Sequence, residues 1–458
     1  MNKKNSRRIA LVPICLLAFL VCQKQRQTTI PQDLEGQELT TTITLPEGER
    51  TRRLLLDFKW TEADIKNQLS NYLPTGSDSL IKEWEKSNAL EWKIIDGEKR
   101  YFNRAVSNLF RIDPAARAYK IAVEGDIMPS GYLKANKKHL PEIIAAAKQA
   151  KQKQIEPKRM QITYQINVPR SQVKMGDTLR CWLPFPQEAN KRHQDVRLLS
   201  TSQKNYTLAP DSSLHRSIYM EKIINKEEAH NFKATFQVTT LAEWHPIDSL
   251  KLNIQSEDQT LSSFISERSP HVVFSEPIRA LSKKIVGEEK DPKEVTKRIF
   301  AYISDSIPWA SAREYSTIRN IPEYVINNKH GDCGQVSLLF ITLCRYNGIP
   351  AKWQSGFMLH PGGVNLHDWA EIHNGEQWIP VDPSFGKSAY LQSDSLFYNS
   401  GIDSYRLIVN EDYSQAFYPA KKHPRSETVD FQRGEVETQD RNLYFDEWDW
   451  DINVDYLN

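Results

Sequence analysis

The sequence has few cysteines, no CxxC pair and no excess of one charge sign. Among 458 residues there are 5 cysteines, and 60 basic residues nearly balance 58 acidic ones, which gives a net charge of +2. A disulfide framework and a zinc site of paired cysteines are therefore not expected. Nothing in this balance suggests a polycation built for nucleic acid, so we expect no nucleic-acid partner. Beyond the first 22 residues, no segment reaches the ~20 apolar residues of a transmembrane helix.

The amino-terminal segment has the pattern of an export signal. A basic cluster within the first eight residues precedes an apolar run, Ile9 to Val21, which is too short to span a bilayer comfortably. Cys22 ends this run, and residues 1–22 resemble a bacterial lipoprotein signal with Cys22 as the lipidated residue. An ordinary signal peptide stays the alternative, because Val21 stands where such signals have Gly, Ala or Ser. In both cases we expect an exported protein, periplasmic or at the cell surface, and lipidation would anchor it to the membrane.

The remaining chain divides by the spacing of its apolar residues. Residues 23–157 are mainly helical in pattern, and residues 158–268 alternate with period two, as in an antiparallel β-sandwich-like domain. Helical spacing returns in residues 269–425. An acidic and aromatic segment, 426–458, ends the chain, and its strict alternation from Trp448 to Tyr456 predicts a half-buried strand. We therefore expect an α+β fold.

The stretch GDCGQVSLLFITLCRYNGIPA, residues 331–351, predicts a helix that begins with a cysteine. Asp332 is the expected N-cap, and Cys333 falls in the first turn. A thiolate there lies beside unpaired backbone N–H groups and the positive end of the helix dipole, so we expect a lowered pKa and a nucleophilic thiol. Cys344, on the apolar side of this helix, and Cys181, in a predicted strand, are expected to be structural.

The next segment supplies a histidine and a carboxylate. Leu366–Ile372 and Gln377–Asp382 are strand-like runs around Asn374-Gly375, a strong hairpin signal. A turn centred on Asn374-Gly375 would place His367 directly opposite Asp382 on one face of the sheet. The carboxylate would then hold the imidazole tautomer and leave the other ring nitrogen for a thiol.

Other polar residues near this segment are weaker candidates. His360, in a turn-prone stretch, and His373, at the hairpin tip, are expected to be solvated. A zinc site made of these two and His367 lacks a matched ligand spacing. The acidic carboxyl-terminal segment lacks the Gly and the bidentate Glu of a calcium loop. We therefore expect no metal and no cofactor.

The segments GDCGQVSLLFITLCRYNGIPAKWQSGF, HDWAEI and WIPVDPSFG resemble the core of the transglutaminase-like superfamily of cysteine enzymes, which are related in fold to papain. The resemblance covers roughly residues 275–390. It implies a helix bearing Cys333 packed on an antiparallel sheet that bears His367 and Asp382, with these three as the catalytic triad. The Cys333 backbone N–H is the expected oxyanion donor, and Trp309 and Gln335 are candidates for the second.

The expected activity is that of an exported thiol enzyme that transfers acyl groups. The Cys333 thiolate would attack a carboxamide or peptide carbonyl, and His367 would protonate the departing amine. A cysteine protease or amidase with a protein or peptide substrate is the favoured interpretation. A cross-linking transglutaminase, in which an amine replaces water, is the enzymatic alternative. A catalytically silent binding protein of the same fold is the non-enzymatic alternative.

Overall fold

A computed structural model describes residues 45–457 of the chain, except 75–76, 127–130, 151–152, 227, 253–258 and 392–393. The expected export signal and its Cys22 lie outside the described residues. Within the described ranges, no helix is long and apolar enough to cross a membrane.

Helices occur in two groups, one before the long strands and one after them. The first group is α1 Glu47–Asp57, α2 Glu62–Leu69, α3 Asp78–Lys86, α4 Ala105–Ile112, α5 Pro114–Glu124 and α6 Gly131–Gln149. The second group is α7 Glu276–Val286, α8 Pro292–Ser306, α9 Ile321–Asn328 and α10 Cys333–Tyr346. Helix α10 has Asp332 as its N-cap, which confirms the helix predicted from the sequence.

The described strands are spread from Trp92 to Leu457. They are β1 Trp92–Ile95, β2 Glu98–Tyr101, β3 Gln154–Val168, β4 Thr178–Pro184, β5 His193–Thr201, β6 Tyr206–Leu208, β7 Ser217–Ile223, β8 His230–Trp244, β9 Ala351–His360, β10 Gly363–His373, β11 Trp378–Val381, β12 Gly401–Ile402, β13 Arg406–Asn410, β14 Glu435–Glu437, β15 Asn442–Leu443 and β16 Asp449–Leu457. Pairing is antiparallel throughout these sheets, and the expected α+β fold is confirmed.

The helices α1 to α5 enclose a core of their own around the β1–β2 hairpin. Phe58, Leu90, Tyr101 and Leu109 are among its buried members. Thr61 and Asp64 form a reciprocal capping box that starts α2, since each side chain accepts the other's backbone N–H. This region therefore has both a defined core and defined helix starts.

Two five-stranded sheets pack on a shared apolar core. One has the order β12-β8-β3-β16 with β5 also on β8, and the other has the order β15-β14-β4-β7-β6. The buried residues between them include Met160 and Ile162 of β3, Leu179 and Cys181 of β4, and Phe236 of β8. Strands β14, β15 and β16 come from the last part of the chain, so the carboxyl-terminal segment completes both sheets.

A four-stranded sheet of order β11-β10-β9-β13 carries the predicted histidine. Helix α10 packs on it, and the helix residues Gly334 to Arg345 are all buried. Trp353 of β9 and Ala370 of β10 lie in the same core as Leu339 and Phe340 of α10. This packing fixes the amino-terminal end of α10 against the middle of β10.

The β10–β11 hairpin has a different register from the predicted one. His373 pairs with Trp378 and Glu371 with Pro380, so the turn is centred one residue later than Asn374-Gly375. The Asn374 side-chain oxygen accepts the backbone N–H groups of Glu376 and Gln377 and closes the turn itself. His367 and Asp382 are therefore not directly opposite each other, and the predicted register was wrong by one position at the turn.

Candidate active site

The amino terminus of α10 holds Cys333 beside a fixed carboxylate. Asp332 accepts the Gln335 backbone N–H at 3.0 Å, and the Gln335 side-chain oxygen accepts the Asp332 N–H at 3.2 Å. The Tyr315 hydroxyl also lies 2.8 Å from both carboxylate oxygens of Asp332. This capping box fixes the first turn and, with it, the position of the half-buried Cys333.

Gly334 allows β10 to approach this turn closely. A Cβ at position 334 would lie 2.2 Å from the Tyr315 hydroxyl oxygen and 2.8 Å from Asp368 Oδ2. Any larger residue would push both groups away. The glycine after the cysteine thus lets Asp368 reach the thiol.

The thiol has a carboxylate as its hydrogen-bond partner. Cys333 Sγ donates to Asp368 Oδ2 at 3.3 Å, and Asp368 Oδ1 accepts from Gln432 Nε2 at 2.9 Å. Burial, together with the charges of Asp368 and Asp332, raises the pKa of the Cys333 thiol well above its usual value. The expected lowering of this pKa by the helix terminus was therefore wrong, because burial and two carboxylates oppose the thiolate.

His367 and Asp382 meet in spite of the changed register. His367 Nε2 lies 2.7 Å from Asp382 Oδ2, and both side chains are buried. Donation from Nε2–H to the carboxylate leaves Nδ1 as the proton acceptor of the imidazole. Burial lowers the pKa of His367, while the Asp382 charge raises it in part.

Arg406 extends this pair into a buried charge network that the sequence did not suggest. Its Nη1 lies 3.2 Å from Asp382 Oδ2, and its Nε donates to Asp403 Oδ2 at 2.9 Å. The guanidinium also stacks 3.9 Å from the centre of the Phe385 ring. Arg406 and His367 hold the pKa of Asp382 below its usual range against the effect of burial. Asp382 therefore keeps its negative charge beside the imidazole.

His360 is buried, and the expectation that it is solvated was wrong. It has 0% exposure, and its Nε2 lies 3.0 Å from Asp403 Oδ1. The rings of Tyr132, Phe385 and Tyr405 surround it. Tyr132 belongs to α6, and the packing of α6 against the β9–β10 hairpin cannot be predicted from local sequence. His373 is half-buried at the end of β10.

A main cavity of about 850 Å³ contains both Cys333 and His367 in its wall. Its apolar lining includes Tyr132 and Leu133 of α6, with Val364, Leu366, Phe385 and Tyr390 from the other side. Helix α6 is held there because Asn136 donates to the Tyr398 hydroxyl at 2.9 Å. Helix α6, from the predicted helical region 23–157, thus forms one wall of this cavity.

A second cavity of about 230 Å³, here called the acidic cavity, also reaches Cys333. Its charged lining consists of Glu314, Asp332, Asp368, Glu427 and Asp430 with Arg313 and Arg433. Trp309, Cys333, Asn365 and Leu366 line both cavities, so the two meet at the thiol. The lining residues Glu427, Asp430 and Arg433 could not be predicted from sequence, since they lie in a loop without periodicity and far from Cys333 along the chain.

The two oxyanion candidates differ in placement. Trp309 is 44% exposed, lines both cavities and pairs with Gly331 as an isolated parallel bridge just before α10. Gln335 is buried in the capping box of α10, and its Nε2 has no hydrogen-bond partner among the described residues. Of these two candidates, only Trp309 therefore lines the cavities. The identity of the second oxyanion donor stays a prediction.

The structure shows no candidate metal centre in its described part. No group of three or more His, Cys, Asp or Glu side chains there is placed to hold a metal ion. Cys181 and Cys344 are both buried and unpaired in their cores.

Comparison with known proteins identifies the segment around this site. Residues 279–383 match the family model of the transglutaminase-like superfamily, and the matched segment includes Cys333, His367 and Asp382. The uncharacterized protein YebA of Bacillus subtilis (strain 168) is 22% identical over 173 residues, which are 33% of this chain. The chain spans only 23% of the length of that relative.

Solved structures with some similarity have low identity. A candidate cysteine protease from Cytophaga hutchinsonii is 14% identical with a TM-score of 0.42, and the match covers 67% of this chain and 92% of the other. The periplasmic domain of TgpA from Pseudomonas aeruginosa is 12% identical with a TM-score of 0.26, covering 56% of this chain and 92% of that domain. Scores this low carry no argument about activity.

Proposed function

We propose, from the premise that residues 279–383 belong to the transglutaminase-like superfamily, that this chain is a thiol-dependent acyl-transfer enzyme. Cys333 is the nucleophile, His367 is the general base and acid, and Asp382 orients the imidazole. A cysteine protease or amidase, with water as acceptor, is the favoured form. One observation carries the proposal: Cys333 at the start of α10 and the Asp382-bound His367 line the same cavity.

The reaction follows from these groups. Nδ1 of His367 takes the thiol proton as Sγ attacks a carbonyl carbon, and the imidazolium then protonates the departing amine. The acyl thioester that remains passes to water, which yields the acid and the free thiol. Asp382 stabilises the imidazolium through its ionised carboxylate, while the Cys333 N–H and Trp309 are the donors available to the oxyanion.

A silent binding protein is the second candidate, and one observation favours it. The thiol donates to Asp368, and its pKa is raised, so the resting protein holds a neutral thiol. Turnover requires that substrate or a side-chain rotation turn Sγ from Asp368 to His367. A protein that never makes this change would bind ligands in the main cavity without reacting.

Substrate screening with the Cys333→Ala variant as control separates these functions. Blocked peptide amides and anilides are offered with and without a fluorescent primary amine, and both hydrolysis and amine incorporation are measured. We expect hydrolysis that requires Cys333 and does not require the added amine. Amine incorporation in place of hydrolysis would support the transglutaminase alternative, and turnover by Cys333→Ala would defeat the assignment of the nucleophile.

Export is a separate part of the proposal and rests on residues 1–22 alone. If Cys22 is lipidated, the native protein partitions into detergent, and the Cys22→Ala variant does not. A soluble native protein with a free amino terminus beyond residue 22 would instead support an ordinary signal peptide.

A further inference from the structure

We propose that the acidic cavity binds a primary ammonium group that the substrate carries close to the reacting bond. The inference rests on the proposed function, because it takes the adjoining Cys333 as the nucleophile. It adds a class of substrate: acyl donors or amine partners with a lysine-like ammonium a few bonds from the carbonyl.

Both arginines of the acidic cavity already have carboxylate partners. Arg433 donates to both carboxylate oxygens of Glu314, at 2.9 and 2.6 Å, and also lies 3.5 Å from Glu427. Arg313 is buried, and its Nη1 lies 3.9 Å from Glu91. Three carboxylates of the lining, those of Asp332, Asp368 and Asp430, are left without an ion pair among the described residues.

Asp430 gives the strongest support for a cation bound in the acidic cavity. Its side chain is 7% exposed, and its carboxylate has no hydrogen bond and no ion pair within 4 Å in the described ranges. Burial raises its pKa, although Arg433 and Arg425 act against this at longer range. A carboxylate with so little contact with solvent and no protein partner is costly, so a proton or a cation bound in the cavity would stabilise it.

The other two carboxylates have neutral partners only. Asp332 accepts from Tyr315 and from the Gln335 N–H, and Asp368 accepts from the thiol and from Gln432. Burial raises the pKa of Asp332 to about 6 and that of Asp368 well above its usual value. An ammonium group has three N–H donors and no acceptor, which suits a pocket that offers acceptors and lacks positive charge.

The position of the cavity assigns the ammonium a recognition role. The acidic cavity joins the main cavity at Cys333 and Leu366, so a group bound in it lies next to a carbonyl held at the thiol. A nitrogen that keeps its proton has no lone pair and cannot attack a thioester. The bound ammonium is therefore a distinct group from the reacting amine.

Direct binding to the Cys333→Ala full chain tests the inference without turnover. Ligand-observed NMR titrations use two charged probes with neutral partners of the same shape: N-acetyl-lysinamide against N-acetyl-norleucinamide, and 1,5-diaminopentane against 1,5-pentanediol. The first pair reports an ammonium on the acyl half, and the second reports one on the amine half. We expect a charged probe to bind at least about tenfold more tightly than its neutral partner, the effect of one charge-assisted contact.

Asp430→Asn, added to Cys333→Ala, should remove that preference, whereas Asp440→Asn, an equal charge change at an exposed residue outside the cavity, should keep it. As a second measurement, 1,5-diaminopentane should slow iodoacetamide alkylation of Cys333 in the unaltered chain, and 1,5-pentanediol should not. Equal binding of charged and neutral probes, an unchanged preference in Asp430→Asn, or saturation by calcium in place of the ammonium would each overturn the inference. Whether Cys333→Ala loses turnover tests the proposed function alone. The proposed function and the ammonium site can therefore fail separately.

Discussion

Cys333 donates its thiol hydrogen to Asp368, the residue that directly follows His367 on β10. Successive side chains of a strand point to opposite faces. His367 lines the main cavity and Asp368 lines the acidic cavity, and Cys333 lines both. The thiol thus lies between a cavity that contains the Asp368 carboxyl group and a cavity that contains the His367 imidazole. The balance between these two groups sets how much thiolate is present.

Replacing Asp368 with Asn should make the thiol easier to ionise. The change removes an anion that raises the pKa of Cys333, while the Asn oxygen can still accept from Gln432. We therefore expect the pH midpoint of Cys333 alkylation by iodoacetamide to fall by at least about 1 unit, the size expected for a nearby like charge. Alkylation followed by mass spectrometry measures the midpoint. Asp440→Asn is the matched control, and a midpoint that stays or rises in Asp368→Asn would contradict the role given to Asp368.

Replacing Asp382 with Asn should damage turnover and shift its pH dependence. The neutral amide no longer stabilises the imidazolium, and it allows the wrong tautomer of His367. We expect kcat to fall by roughly two to four orders of magnitude. Because the Asp382 charge raises the pKa of His367, its loss lowers that pKa, and the acid limb of kcat/KM should move to lower pH. Alkylation of Cys333 should continue. A variant with unchanged kcat would show that another residue orients the imidazole.

The proposed nucleophile Cys333 and the proposed base His367 could be selected from sequence because each lies in a short local pattern. The capping residue, the apolar helix and the hairpin signal all act within about 20 residues of Cys333 or His367. The register of the hairpin was missed because the Asn374 side chain closes the turn, which moves the pairing without changing the pattern of apolar residues.

Residues that reach the site from distant parts of the chain lie in no such local sequence pattern. Asp430 and Gln432 belong to a loop far from Cys333 in sequence, and Tyr132 belongs to an amino-terminal helix. The wrong expectation for the thiol pKa has the same origin. A helix terminus is visible in the sequence, whereas the burial of Cys333 and its contact with Asp368 depend on how β10 packs.

Arg406 should be essential for stability because it compensates two buried carboxylates. Asp382 and Asp403 are both 0% exposed, and Arg406 is the cation between them. Arg406→Met leaves Asp382 and Asp403 with only His367 and His360 as partners. It should lower the free energy of unfolding by roughly 3 to 5 kcal/mol, the cost of removing one member of a buried ion pair. Urea unfolding measures this change.

Two controls make the Arg406 result specific. Arg197→Met removes an exposed pair with Asp195 and should change stability by no more than about 0.5 kcal/mol. Adding Asp403→Asn to Arg406→Met should recover part of the loss, since it removes a buried carboxylate that has lost one of its two partners. An Arg406→Met variant as stable as the unaltered chain would mean that water or relaxation neutralises these carboxylates.

The carboxyl-terminal strand should stabilise the fold without serving the chemistry. Strand β16 pairs with β3 from Asp449 to Leu457 and is the edge of its sheet. Trp450, Ile452 and Val454 pack on the shared core, and Trp450 stacks on Tyr164 at 6.1 Å between ring centres. The aspartates between them are exposed, so the strand is apolar on one face and acidic on the other.

Deleting residues 446–458 should therefore expose the outer side of β3 and the apolar surface beneath β16. At roughly 1.5 to 3 kcal/mol for each fully buried side chain, the half-buried residues and the buried Trp448 together contribute several kcal/mol. We expect the melting temperature to fall by roughly 5 °C or more. Asp451→Asn, on the exposed face, should leave it within about 1 °C. None of the described residues 446–457 lines the main or the acidic cavity, so Cys333 should still react with iodoacetamide below the lowered melting temperature. An unchanged melting temperature would contradict the docking of β16, and loss of alkylation in the folded deletion variant would show that the sandwich supports the site.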